Sequence, residues 1–161
     1  MGNGILITAC ILSLTMAAEP MQYVSADSPQ RNEHRAETGI VIRESDEELL
    51  KKIATAEAGN QGADGMWLVM SVVMNRLESD NWPDSIKGVI YQKSQFSTID
   101  DGSFDKVKEY PEGCDEALER IKAADVAPQI IGFEYRTSDA LDKYFDYVFT
   151  YRDHRFYVEK K

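Results

Sequence analysis

The chain has 161 residues, 43% of them hydrophobic, enough to bury one core without disulfide staples. Its 28 acidic side chains outnumber 18 basic ones, and the resulting charge of -10 removes the attraction that drives binding to phosphate backbones. Nucleic acid is not an expected partner, and two His with two Cys are too few for a structural zinc site, so neither metal nor cofactor is expected.

Ile5 to Ala18 is an apolar run too short to span a bilayer, followed by small and then polar residues. It reads as a signal peptide within residues 1–26, cleaved after Ala18 or after Ala26, although Met1 to Gly4 lack the usual Lys or Arg. Cys10 leaves with it, so Cys114 remains alone and no disulfide framework forms. The expected product is secreted or wall-associated, monomeric and without a transmembrane span. Residues 27–44 are polar, contain Pro29 and show no sustained period, which reads as a flexible linker.

A folded domain is expected over residues 45–161. Ser45-Asp46-Glu47-Glu48 matches a capping box, and Leu50, Ile53, Ala54 and Glu57 follow at helical spacing on one inward face. Ala58-Gly59-Asn60-Gln61-Gly62 ends this helix, with glycine and asparagine able to supply a positive φ. A buried helix is predicted from about Ala63 to Leu77, carrying Met66, Trp67, Met70, Val73 and Met74. Asp84 or Ser85 then caps a short helix bearing Ile86, Val89 and Ile90, and Lys93 to Gly102 reads as loop. An amphipathic helix is expected from about Pro111 to Ala124. Ile130 to Tyr135, Tyr144 to Tyr151 and Arg155 to Val158 are rich in β-branched and aromatic residues and read as strands. The predicted class is α+β, mainly helical with a small antiparallel sheet near the C-terminus.

Glu57 breaks the rule that inward helix positions are apolar. Desolvation raises the pKa of such a carboxyl toward working pH and makes it a proton donor, as protonation of a glycosidic oxygen requires. The same carboxylate can then act as base. A core-edge glutamate satisfied by an ion pair or by a neighbouring helix N-terminus would show the same periodicity, so spacing alone leaves both readings open.

Around it, Ala56-Glu57-Ala58-Gly59, Val72-Val73-Met74-Asn75-Arg76, Trp82-Pro83, Val89-Ile90-Tyr91-Gln92 and Gln95-Phe96-Ser97 occur in order. Ile131 to Arg136 and His154 to Tyr157 close the series. Together these segments resemble the SleB/CwlJ cell wall hydrolase family, from about Glu47 to Tyr157. The resemblance implies a lysozyme-like domain cleaving peptidoglycan glycan strands between N-acetylmuramic acid and N-acetylglucosamine, with Glu57 as catalytic acid/base. It further implies a lytic transglycosylase, for which one essential carboxylate suffices because the sugar's own C6 hydroxyl attacks C1. Hydrolysis would need a second carboxylate about 5–5.5 or 6.5–9.5 Å away, and Asp64, Asp100 and Asp101 are the candidates by chain order.

Gln95 and Ser97, flanking Phe96, are expected to meet sugar hydroxyls and acetamido groups, or to hold an ordinary turn. Tyr91, Tyr135 and Tyr157 can stack on sugar faces or belong to the core. Asn75 and Arg76 read as helix-end structure, and His154 as a satisfied sheet histidine. This chain departs from the family pattern after Gly59, where a second glycine and an acidic residue are common but Asn60-Gln61-Gly62 stand, and before Ala56, where Thr55 replaces a frequent Tyr and leaves more room beside the acid. Two other readings remain: a wall-binding protein without activity, and a peptidase or amidase using Cys114 and His154.

Overall fold

The computed structural model describes residues 42–160. The signal peptide and most of the linker lie outside the described residues.

The first helix, α1 (Glu44–Ala58), starts earlier than its sequence signature suggests. Arg43 occupies the cap position in extended conformation, its carbonyl taking the N–H groups of Asp46 and Glu47 at 2.9 Å. Ser45 therefore lies inside the helix and makes no cap. The helix entrance instead places Glu44, Asp46 and Glu47 against the positive end of the backbone dipole. At the other end Gly59 keeps a helical φ of -59°, and the left-handed residue is Gly62 (φ 76°), which turns the chain into α2 (Gly62–Glu78).

Helix α2 is apolar nearly all round because it is covered on two sides. Met66, Val69, Met70, Val73 and Met74 join Leu50, Ile53, Ala54 and Ala58 of α1 in the main core. Leu68 and Val72 face a smaller cluster with Ala127, Ile130 and Phe156 at the sheet. Ser71, fully buried between them, accepts the Ala127 N–H at 3.1 Å.

Ser85 caps α3 (Ile86–Ile90) by accepting the Gly88 N–H at 3.1 Å, and Ile86, Val89 and Ile90 complete the core. The segment read as loop contains a single helical turn, α4 (Ser97–Asp100), followed by α5 (Ser103–Lys106). Asp101 ties the two by accepting the Ser103 N–H at 2.7 Å. Helix α6 (Cys114–Lys122) begins three residues after Pro111 because Gly113 takes a left-handed φ of 87° hard against Ala63, where a side chain would collide.

The expected sheet is present as β1 (Gly132–Tyr135), β2 (Phe145–Tyr151) and β3 (His154–Glu159), antiparallel in the order β1-β3-β2. Register pairs Gly132 with Tyr157 and Tyr135 with His154, and an irregularity interrupts β2 between Tyr147 and Phe149. The α+β class predicted from sequence is the one observed.

The end of α2 fastens the sheet to the helices. Asn75 donates to the carbonyls of Ala127 and Ile130, both at 2.8 Å, and Arg76 Nε donates to Ile131 at 2.6 Å. The Arg76 guanidinium is buried, 4.1 Å from the Trp82 ring centroid and 5.2 Å from that of Phe96, and burial pushes its pKa down to about 10, so it stays charged at neutral pH. Arg76→Ala is expected to lose about 3 kcal/mol in urea unfolding, the scale of a broken buried polar network. Arg76→Lys should regain less than half, because an ammonium can neither stack on the rings nor place Nε–H. A loss under about 1 kcal/mol for Arg76→Ala would show that the guanidinium is not what fastens the two layers.

Candidate active site

A cleft of about 600 Å³ opens between the end of α1, the segment 94–100, strand β1 with the loop after it, and the start of β3. Glu57 lines it from the last turn of α1. Helical periodicity brings the side chain inward, and the turn that follows leaves it facing open space.

Burial pushes the Glu57 carboxyl above the ordinary range, and the charge of Asp101 adds to that direction. Thr98 opposes it: its hydroxyl donates to Oε1 at 2.6 Å and its backbone N–H lies 3.4 Å from the same oxygen. Among the described residues no cation pairs with Glu57; its partner is Thr98 in the first turn of α4, so of the two satisfied-glutamate readings the ion pair is absent and the helix N-terminus is present. A carboxyl that is desolvated, partnered by one hydroxyl and open to a cleft can both release and recover a proton.

The structure separates the expected binding residues. Gln95 and Ser97 line the cleft, as do Tyr135, 55% exposed, and Asp100. Phe96 touches the same space but is 2% exposed, its ring packed 6.0 Å from Phe133, so it shapes the floor as a core residue. Tyr157 is fully buried, its hydroxyl donating to Glu134 with Asp142 Oδ1 2.9 Å away, so it offers no stacking face. Tyr91 is 47% exposed but rests edge-on against Phe104, apart from the residues lining the cleft. Of the other acids considered, Asp64 is engaged by Arg120 at 2.9 Å outside the cleft, and Asp101 acts on Glu57 only through its charge.

Thr98, Glu134 and Asp153 also line the cleft and were not singled out from sequence. Thr98 follows directly on Gln95-Phe96-Ser97, and its orientation depends on the helical turn hidden in an apparent loop. Glu134 accepts from Ser138 at 2.6 Å and from the Leu141 N–H at 3.3 Å, holding the β1–β2 loop against the cleft.

Cys114 does not belong to this site. It is fully buried, its sulfur 3.7 Å from Thr55 Oγ1 and 3.9 Å from the Lys51 carbonyl, and burial raises its thiol pKa. His154 lines the cleft while Cys114 does not, so the cysteine-dependent peptidase has no assembled pair. Thr55 likewise turns to Cys114 and is not among the residues lining the cleft.

The fold is that of known wall-lytic domains. The catalytic domain of the germination-specific lytic transglycosylase SleB from Bacillus anthracis is 18% identical, with a TM-score of 0.59 over 71% of this chain and 95% of that one. The catalytic domain of the Bacillus cereus SleB protein is also 18% identical, with a TM-score of 0.59 over 71% and 91%. No curated protein sequence matches. The family model described as Cell Wall Hydrolase covers residues 60–157, more than half of the chain, beginning three residues after Glu57. With that extent matched on a domain of this fold, the chain belongs to the cell wall hydrolase family.

Proposed function

We propose that this protein cleaves peptidoglycan glycan strands at the bond between N-acetylmuramic acid and N-acetylglucosamine, as a lytic transglycosylase with Glu57 as acid and base. The observation that carries this reading is a half-buried glutamate, desolvated and with no counter-cation among the described residues, partnered by Thr98 and lining a cleft of about 600 Å³. Protonated Glu57 gives its proton to the glycosidic oxygen as the C1–O bond breaks. The muramic C6 hydroxyl then bonds to C1 and returns its proton to Glu57, leaving a 1,6-anhydro end and a restored acid. Gln95, Ser97 and Tyr135 line the path of the strand. The acidic surface, the N-terminal apolar segment and the wall substrate agree with a monomer exported to act outside the cytoplasm.

Hydrolysis is the second reading, favoured by Asp100 and Asp153 in the same cleft. Digestion of purified peptidoglycan followed by mass spectrometry separates the two. Anhydro-muramic ends, undiminished in Asp100→Asn and Asp153→Asn, are expected; reducing ends lost in either variant would establish hydrolysis. Glu57→Gln should lower the rate by about 10²–10⁴-fold, the usual worth of a general acid/base. Full activity in that variant, or release of peptide stems alone, would overturn the glycan reading.

Cleavage needs the protonated form, so the rate falls as pH rises through the raised pKa of Glu57. Thr98 favours the ionised form, and Thr98→Val should move this alkaline limb to higher pH. Asp101 favours the neutral form, and Asp101→Asn should move the limb to lower pH, by an amount that shrinks with added salt. Both variants moving it in the same direction would contradict the assignment of the limb to Glu57.

The same burial governs stability. Because the folded-state pKa lies above that of the unfolded chain, ionised Glu57 costs stability above its ordinary pKa and costs none below it. Glu57→Gln should unfold about 1 kcal/mol harder at neutral pH, with the gain vanishing in acid. Equal stability of the two proteins across the whole range would show that the carboxyl is not desolvated.

A further inference from the structure

The turn between α1 and α2 sends Gln61 into the protein, 2% exposed, with its amide Nε2 3.1 Å from His154 Nδ1. Its Oε1 is sealed from solvent without a partner. Bare helix surface admits this side chain: a Cβ on Gly65 would stand 2.4 Å from the Cβ of Gln61. A glycine inside a helix costs about 0.5–1 kcal/mol relative to alanine, so the seat is bought at the expense of α2.

His154 sits on the central strand, 6% exposed, its ring tilted 4.8 Å from Phe133. Its Nδ1 is taken by Gln61, whereas among the described residues Nε2 has no partner and is not sealed, and the residue lines the cleft. Two arrangements fit an amide beside a neutral imidazole. In one, Gln61 donates to Nδ1 and leaves an unpaired carbonyl oxygen; in the other, Nδ1–H donates to Gln61 and leaves a sealed NH₂ unpaired. Buried unpaired carbonyls are tolerated better than buried unpaired N–H groups, which selects the first.

We propose that Gln61 is a positioning residue that holds His154 with its proton on Nε2, so that the ring offers one fixed, uncharged N–H donor to an oxygen of the glycan strand. The inference deepens the proposed reading of the cleft and rests on it. Burial keeps the ring neutral by lowering its pKa, with Asp153 opposing. The titratable groups that share the cleft with it are Glu57 of α1, Asp100 of α4, Glu134 and Tyr135 of β1 and Asp153 of the β2–β3 turn. Four are carboxylic acids and one is a phenol, and His154 is the titratable nitrogen donor among them.

Gln61→Glu reverses the logic with almost no change in shape. A carboxylate can only accept, so Nδ1 keeps the proton and donates to it; the neutral ring then turns its Nε2 lone pair to the cleft, while the imidazolium still donates from Nε2. The chain has two histidines, His34 and His154, and a His34→Gln background leaves the imidazole nitrogens of His154 alone in a long-range ¹H–¹⁵N spectrum. The unsubstituted pair should show a proton on Nε2 at neutral pH, and Gln61→Glu a proton on Nδ1. Binding is read as the Kd of an N-acetylglucosamine tetramer in the intact chain carrying Glu57→Gln. Adding Gln61→Glu should weaken it about tenfold where the ring is neutral and recover it in acid, a dependence absent from the parent. Gly65→Ala, which displaces Gln61 without adding charge, should weaken binding at every pH above the ring's own titration.

A proton on Nδ1 in the parent, tetramer affinity unaffected by Gln61→Glu at neutral pH, or no tetramer binding by the parent would each overturn the proposal. The spectrum is recorded without substrate. A failed tautomer assignment therefore leaves glycan cleavage standing, and a Glu57→Gln chain that still cuts peptidoglycan overturns the cleavage mechanism without touching the tautomer.

Discussion

The buried guanidinium of Arg76 is the point on which fold and site both depend. A cation taken out of water without a carboxylate is costly unless other groups meet it, and here the Ile131 carbonyl, the Trp82 face and the Phe96 face share that role. Each contact fixes a different part of the chain: the entry to β1, the turn after α2, and the segment that leads into α4. Once Phe96 is held, Ser97 and Thr98 follow in a single helical turn, and Thr98 meets Glu57. The Glu57 carboxyl is thus positioned from two sides, by its own helix and by a chain of contacts that starts at the far end of α2.

The cleft is acidic, and this shapes how its members behave. Asp100, Glu134 and Asp153 stand in the same space as Glu57, while Asp101 acts from outside it. Desolvation and the charge of Asp101 both favour the neutral acid, and the Thr98 hydroxyl limits the effect by stabilising the carboxylate. A group that must be acid in one step and base in the next is served by such opposed influences better than by a strong ion pair, which would fix it in the ionised state.

Much of this was legible before any coordinates, for identifiable reasons. Glu57 stands out because helical periodicity alone places it inward, while the cap of α3, narrowed to Asp84 or Ser85, and the strand segments are legible because their signals are local. The capping box at Ser45 misled because three acids and the Arg43 carbonyl satisfy the helix start without it. Phe96 and Tyr157 could not be told from groove aromatics, since burial on a sheet depends on what packs above it, which no local pattern records. Thr98 was missed because one turn of helix within a polar loop has too few residues to show a period.

The turn Asn60-Gln61-Gly62, where this chain departs from the family pattern, argues for a site adapted and not abandoned. Each residue has a place: Asn60 lines the cleft, Gln61 engages His154, and Gly62 supplies the left-handed φ that starts α2. An acidic side chain at 61 would put a fifth carboxylate beside four, raising Glu57 further and moving the His154 proton from Nε2 to Nδ1. The amide keeps the same reach without the charge, so the imidazole stays neutral and the acid is tuned by Thr98 and burial. A decaying site would be expected to lose such matching first, because an unpaired buried amide and a helix glycine both cost stability unless the pair they support is used.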